Sequence, residues 1–450
     1  MLKTSKFSDF GDKLIQDYLA VFSTYSIKNE MYGRMSLHVI LGQALKNVYY
    51  KTGSRKIDLR IHLLLIKPQG TGKGAGYGYI KKMSERVGLY FKHVTKSTGP
   101  AIAGTMEFDP STKKHVEKDG ILKTADIVGM EEASPLFDLT DDFSKMNMTY
   151  FQITMNPLED ESCRITRDLV SGTVDYKPHA SFVLTTYPPD KLVDKILKTG
   201  FLDRTIAVFE EVTLSDRLEV IKQISENIGA IDNETQERMF NLVSSRLYTV
   251  IKKYQKEDFC IEIPDDIKKR LLLVVDEFAI KILDASPVAR EKLEHFISRL
   301  YETLVKLASH HALLSLRTKL DMSDVLYARS TYLPIWQNLI ISIESLLIIS
   351  PIERARRDSI RKQSLNEYDR QIKLKEFVKE KVWVRRPTML ETLQMKWDQC
   401  SMETADSNLR KLEKLPELKS SKVTKYEKDK FFKRRNIGGV AYLKKIKDLK

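Results

Sequence analysis

The stretch from Leu63 to Ile80 constrains the chain more than any other. Leu63-Leu64-Leu65-Ile66 is an unbroken apolar run, Lys67-Pro68-Gln69-Gly70-Thr71-Gly72-Lys73-Gly74-Ala75 follows it, and Tyr77, Ile80 and Met83 then recur at helical spacing. A buried strand that turns through glycines into a helix is the context in which a Gly/Lys cluster becomes a cradle for phosphate. Gly70 and Gly72 let successive backbone N–H groups converge on an anion, with Gln69, Thr71, Gly74 and Ala75 completing the loop. Lys73 adds a point charge at the end of a helix whose dipole attracts the same anion. The spacing therefore predicts an α/β fold with nucleotide as ligand.

Two positions depart from the full P-loop pattern, G-x-x-x-x-G-K-[ST]. Lys67 stands at its first glycine and Gly74 at its hydroxyl residue. Gly74 has no atom to offer Mg²⁺, and Thr71 lies elsewhere in the loop, so metal binding falls to water and to acidic residues downstream.

Those acids follow the apolar segment Ile121 to Met130, read as a strand, as Glu131-Glu132. One carboxylate at such a strand end serves the Mg²⁺ shell and the other orients the attacking water; Glu131 takes the first role and Glu132 the second. The plainer alternative is a solvated N-cap for the next helix. A helical stretch over Asp141 to Leu158 precedes two β-rich runs that meet at Ser171-Gly172, a hairpin signal. Ala180 to Leu184 is another buried strand, tipped by Thr185 and Thr186, so Thr186 can sit beside a terminal phosphate or cap a turn. Gly200-Phe201-Leu202-Asp203-Arg204 then precedes the strand Ile206 to Phe209. Arg204 is placed to reach a neighbouring subunit's nucleotide, or to pair locally with Asp203 or Glu210.

This order of P-loop, Glu-Glu strand, hairpin, Thr-tipped strand and Gly-Phe-Leu-Asp-Arg resembles the AAA+ ATPase core. The hairpin just ahead of the Thr-tipped strand makes it similar to minichromosome-maintenance helicases and to phage- and plasmid-borne replicative helicases. Thr186 stands where that family usually has Asn. The resemblance implies ATP and Mg²⁺ as cofactors, a homo-oligomeric ring with the hexamer as the usual form, and a helical lid. It also implies an Arg on a lid helix that touches the nucleotide of its own subunit, with Arg299 the first candidate and Arg290 the second. In such motors hydrolysis moves the hairpin, whose basic residues Arg167 and Lys177 would drag DNA.

Net charge is concentrated at one end of the chain, where it fits either a nucleic-acid-binding module or a solvated Lys-rich surface. The sequence carries +14, and residues 351–450 hold 28 basic against 15 acidic residues, so +13 of the total lies there. A basic module on a neutral body is the distribution expected when one domain touches nucleic acid. Helix-like Thr388 to Cys400 and Thr404 to Leu415 precede short strands at Ser420 to Val423 and Val440 to Leu443 around Asn436-Ile437-Gly438-Gly439, a pattern similar to a winged helix. Arg410 and Lys411 would face the major groove, and Lys433, Arg434 and Arg435 would track phosphates from the wing.

The expected organisation is thus an N-terminal helical segment (1–55), an AAA+ P-loop NTPase core (56–213), a helical lid (214–350), a basic linker (351–381) and a C-terminal winged-helix domain (382–450). Three scattered cysteines lack disulfide or metal spacing, and no apolar run suits a membrane span or secretory signal. These point to the cytoplasm, at a nucleoid or viral replication site. The expected function is an ATP-dependent DNA helicase translocating as a ring. The alternative is an ATP-gated DNA-binding assembly or initiator factor without unwinding activity; a protein remodeller is a third class, opposed by the basic C-terminal module.

Overall fold

The computed structural model describes residues 8–26, 29–95, 98–137, 142–187, 200–210, 233–255, 258–283 and 285–344, a few positions between 212 and 225, and the strands 383–385, 434–437 and 440–444. It divides into two compact units, Met1–Ile349 and Ser350–Lys450.

The first unit is mixed α/β, centred on a five-stranded parallel sheet. In chain order its strands are β3 (Leu63–Ile66), β4 (Phe91–His93), β7 (Ile127–Met130), β10 (Ser181–Thr186) and β11 (Ile206–Phe209), and their spatial order is β11-β3-β10-β7-β4. Every residue of β3, β7, β10 and β11 is buried. That is why these segments read as continuous apolar runs without alternation, as parallel strands covered on both faces do. The register sets Val183 opposite Leu63 and Thr186 opposite Ile66, with Ile206 beside Leu63 on the other flank. The carboxyl ends of β3, β10 and β7 therefore lie side by side.

Helices α1 (Ser8–Tyr25) and α2 (Glu30–Ala44) pack against α3 (Lys73–Arg86) through an aromatic cluster in which Tyr18, Phe22, Tyr32 and Tyr79 meet edge to face. The expectation of a helical segment over residues 1–55 needs correcting. Val48 and Tyr49 leave the helix and open an antiparallel hairpin, β1 (Val48–Thr52) with β2 (Arg55–Asp58). The segment Ile121 to Met130 is likewise two elements, a short helix α5 (Ile121–Thr124) and then β7. The break at Ala125-Asp126 is fixed by the Asp126 carboxylate, which accepts from the Tyr90 backbone N–H at 3.0 Å and ion-pairs with Lys46 at 3.1 Å.

Beyond the sheet come α7 (Asn233–Tyr254), α8 (Asp265–Leu283), α9 (Pro287–Leu314) and α10 (Met322–Ser342). Ser286 caps α9 with Pro287 at its first position, and an Asp321/Asp324 capping box opens α10. Asp324 is fully buried but paired on both sides, with His311 Nδ1 at 2.6 Å and Arg317 at 2.7 Å. Trp336 Nε1 donates to the Phe278 carbonyl at 2.9 Å and ties α10 to α8. No helix among the described residues is long and apolar enough to cross a membrane.

In the second unit, β13 (Trp383–Arg385), β14 (Arg434–Ile437) and β15 (Val440–Lys444) form an antiparallel sheet in the order β13-β15-β14. Ile437 opposes Val440, so β14 and β15 pair as consecutive antiparallel strands in the sequence region read as a wing. The expected strand at Ser420 to Val423 and both expected helices lie outside the described residues.

Candidate functional site

After Ile66 the chain needs two left-handed residues to turn into α3. Gly70 (φ 71°) and Gly72 (φ 77°) supply them without the Cβ penalty. Gly72 caps α3 with no side-chain acceptor, so side chains leave the first-turn N–H groups available to an anion. Lys73 Nζ donates to the carbonyls of Lys67 (2.8 Å) and Thr186 (3.1 Å), and lies 3.6 Å from the centre of the Tyr187 ring. Burial lowers its ammonium to about 8, partly offset by the charges of Glu132 and Glu131.

Lys67, where the motif has glycine, is a brace. Its buried ammonium ion-pairs with Glu210 at the end of β11 and donates to Asn29 Oδ1. The link between α1 and α2 holds the rest of the loop: Ser26 Oγ donates to the Gly72 carbonyl at 2.8 Å and Asn29 Nδ2 to the Thr71 carbonyl at 2.9 Å. Thr71 Oγ1 donates within the loop to the Pro68 carbonyl (2.7 Å). Gln69 is exposed, and its carbonyl accepts from Arg217 at 3.1 Å. The sequence reading missed Ser26, Asn29 and Arg217, since none belongs to a spaced motif.

The acids sit two strands away, with β10 between. The Glu131 carbonyl accepts from Thr185 Oγ1, and the Ala133 N–H donates to the Thr185 carbonyl at 2.8 Å, stitching the end of β7 to the end of β10. Glu132 Oε1 accepts from Ser134, whereas Oε2 is buried and has no hydrogen-bond partner among the described residues. The Thr186 hydroxyl is also buried and has no partner among the described residues. Gln69 to Ala75, Glu131, Glu132 and Thr186 are thus gathered at the carboxyl ends of neighbouring parallel strands, where ligands of open α/β sheets bind.

Arg204 and Arg299 are elsewhere. Arg204, on a single 3₁₀ turn before β11, donates to the Gly200 carbonyl at 2.7 Å and to Asn156 Oδ1 at 3.3 Å. It shares a shallow cavity with Arg60, Asp203, Arg299, Glu302 and Lys306, below the amino ends of β3 and β11. The length of β3, about 10 Å, separates that level from the loop. Burial raises the Asp203 carboxyl, and burial with the neighbouring Arg299 charge lowers Arg204. Arg299 pairs with Glu302 at 3.0 Å. The expectation that Arg299 touches the nucleotide of its own chain is corrected by this position at the opposite end of the sheet. Arg290 is spent on the carbonyls of Leu283 (2.6 Å) and Ala285 (3.4 Å).

The hairpin at Ser171-Gly172 forms as β8 (Ile165–Leu169) and β9 (Gly172–Tyr176). Its basic residues are engaged: Arg167 donates to the Gly104 carbonyl, and Lys177 pairs with Glu161 at 3.0 Å. Its tip presents exposed Val170. A second hairpin, β5 (Thr105–Asp109) with β6 (Lys114–Lys118), packs beside it, and Gly172 lies against Met106. This one carries exposed Phe108 in contact with His115, and exposed Lys113 and Lys114 at its turn. Sequence reasoning missed it because every residue of β6 is exposed and leaves no apolar alternation. Arg434 and Arg435 lie on β14; Arg410, Lys411 and Lys433 lie outside the described residues.

No group of three or more His, Cys, Asp or Glu that could hold a metal occurs among the described residues. Beside the loop, Glu131 Oε1 stands where a side chain at position 74 would begin, and Glu132 follows it in the chain. Compared with known proteins, the sequence matches no family model and no curated protein.

Proposed function

We propose that the chain is an AAA+-type ATPase that works on DNA. One observation carries the reading: the Gly-rich loop with Lys73, the Thr186 tip and the Glu131-Glu132 pair end three adjacent parallel strands, β3, β10 and β7, in the sheet order β11-β3-β10-β7-β4. Lys73 and the loop amides would hold the phosphates, and the free Oε2 of Glu132 would orient the attacking water. A bound Mg²⁺ would neutralise charge on the phosphates, with Glu131 at its shell. Arg204, on the opposite end of the sheet from its own loop, would complete the site of a neighbouring copy, which makes a ring the natural assembly. The charge of residues 351–450 and the β14–β15 hairpin support DNA as the partner and a winged helix as the fold of that unit.

The test is nucleotide binding and hydrolysis by two variants. Lys73→Ala should abolish ATP binding, whereas Glu132→Gln should bind ATP and hydrolyse it roughly 100-fold more slowly or worse. Equal turnover by wild type and Glu132→Gln would sink the assignment.

A second reading, an ATP-gated assembly or initiator factor that does not unwind, is favoured by the engagement of Arg167 and Lys177 in the fold. Unwinding of a labelled fork with and without ATP separates the two.

A further inference from the structure

Gly74 is the residue at which the loop departs most from the common pattern, and backbone conformation does not demand it. It lies in the first turn of α3 and is not among the glycines with positive φ. A glycine there costs up to about 1 kcal/mol of helix stability relative to alanine. Space explains it: a Cβ at position 74 would stand 2.5 Å from Oε1 of Glu131, with the Glu131 carboxyl carbon next nearest at 3.6 Å. The carboxylate occupies the place where a serine or threonine would carry its side chain. The Glu131 backbone is fixed at this point, since its carbonyl accepts from Thr185 Oγ1 on the adjoining strand, while its side chain is exposed. Beside it, at the end of the intervening strand, Thr186 is only 1 % exposed and its hydroxyl has no partner among the described residues.

We infer that Gly74 and Glu131 are a matched pair, in which the Glu131 carboxylate replaces the missing loop hydroxyl as the direct protein ligand of the divalent ion that accompanies a nucleoside triphosphate. The inference rests on the ATP reading above. In the common arrangement a short acid stands behind a serine or threonine; here the side-chain length has moved from the loop to the strand end. A glutamate is one methylene longer than an aspartate, which suits the reach across to α3, and the glycine removes the atom that would block it. The exchange replaces a neutral ligand by a charged one. Without a divalent ion the carboxylate opposes the phosphates, and with one it binds the ion, so nucleotide affinity becomes steeply dependent on the metal.

The experiment measures the affinity of each variant for a fluorescent ATP analogue in excess Mg²⁺ and in excess EDTA, with thermal melting as a check on folding. The wild type should bind at least about tenfold more tightly with Mg²⁺ than with EDTA. Glu131→Gln should lose that ratio from both sides, binding more weakly in Mg²⁺ and more tightly in EDTA, because a purely structural glutamate would not improve binding when removed. Gly74→Ala should displace the carboxylate without supplying another ligand and lose most of the ratio, while melting no lower than wild type, since alanine favours a helix over glycine. Gly74→Ser with Glu131→Asp should restore the ratio to within about threefold, a coupling that two independent positions would not produce. An unchanged Mg²⁺ ratio in Gly74→Ala, or a double variant no better than Glu131→Asp alone, would overturn the pairing while leaving the ATP reading in place. A wild-type protein that binds no nucleotide in either buffer would overturn both.

Discussion

Asn29 Nδ2 donates to the Thr71 carbonyl at 2.9 Å while Asn29 Oδ1 accepts from Lys67, so one side chain spans the base and the crown of the Gly-rich loop. The loop therefore does not hold its shape alone. Its carbonyls are turned toward the α1–α2 link by Ser26 and Asn29, which aims the opposite face of the peptides, the N–H side, at the sheet end. Asn29→Ala should leave a buried carbonyl unpaired and cost about 1–3 kcal/mol of stability. ATP affinity should fall by roughly tenfold with Lys73 untouched. Chemical denaturation and equilibrium binding of that variant are the checks; wild-type values in both would mean the clamp is idle.

Arg204 makes a prediction about assembly. Arg204→Ala should bind ATP nearly normally, because its own loop is a strand length away, and should lose turnover by up to about 10³-fold. Mixing it with Lys73→Ala subunits should restore part of the rate, since some interfaces then pair an intact loop with an intact arginine. Arg204→Lys should not rescue, because a single ammonium cannot reproduce the planar fork. A specific activity independent of protein concentration, with no gain on mixing, would place Arg204 in a structural role with Gly200 and Asn156.

These relationships mark what the sequence disclosed. Strands β3, β10 and β11 were legible because burial on both faces writes itself as an apolar run, and the loop was legible because φ above zero requires glycine. Lys67 and Gly74 looked like defects, since their partners Glu210 and Glu131 are distant in sequence and only the fold brings them together. The Ser26 and Asn29 clamp was invisible for the same reason. The β5–β6 hairpin was missed on different grounds, as an exposed hairpin has no hydrophobic period to read. Arg299 was carried over from the family resemblance alone, and nothing in the spacing of α9 says which end of the sheet its faces meet.

The buried His38–His310 pair predicts an acid-sensitive fold. Their Nδ1 atoms lie 3.2 Å apart, and His38 Nε2 meets the Tyr327 hydroxyl at 2.8 Å. Burial, with the charge of Lys306, lowers His310 to about 3; burial, with His310 next, puts His38 well below its ordinary value. Between an unfolded value near 6.5 and these lowered ones the unfolded chain binds more protons than the folded chain, so stability rises with pH across that window and is lost as pH falls through it. Asp58, held below the ordinary carboxylate range by Arg60 against the cost of burial, loses its contribution only below about 4, which separates the two effects. Denaturant midpoints from pH 7 down to 4 should fall, and His310→Gln should flatten the slope by up to about 1.4 kcal/mol per pH unit, the value of one proton. An unchanged slope in that variant would remove His310 from the account.

Under the proposed DNA reading, the β5–β6 hairpin and the C-terminal strands should contribute separately to binding, and the β8–β9 hairpin to coupling. Lys113 and Lys114 are exposed at the turn of the β5–β6 hairpin, beside exposed Phe108, whereas Arg167 is bound to the Gly104 carbonyl and Lys177 to Glu161. Phosphate contacts release counterions, and each is worth a salt slope of about 0.7 on single strands and about 0.9 on duplex. Replacing Lys113 and Lys114 together by Ala should therefore lower the single-strand salt slope by up to about 1.4, with little effect on duplex. Replacing Lys433, Arg434 and Arg435 should lower the duplex slope by up to about 2.7, independently of ATP. Lys177→Ala should change neither, while Arg167→Ala, which unties the two hairpins, should leave affinity intact and uncouple ATP hydrolysis from unwinding. Salt titrations on both substrates and a fork-unwinding assay read all four variants. If Arg167→Ala unwinds at the wild-type rate, the hairpin pair does not transmit hydrolysis to DNA and the moving element lies elsewhere in the chain; a wild type that leaves the fork intact in ATP favours the non-unwinding assembly factor.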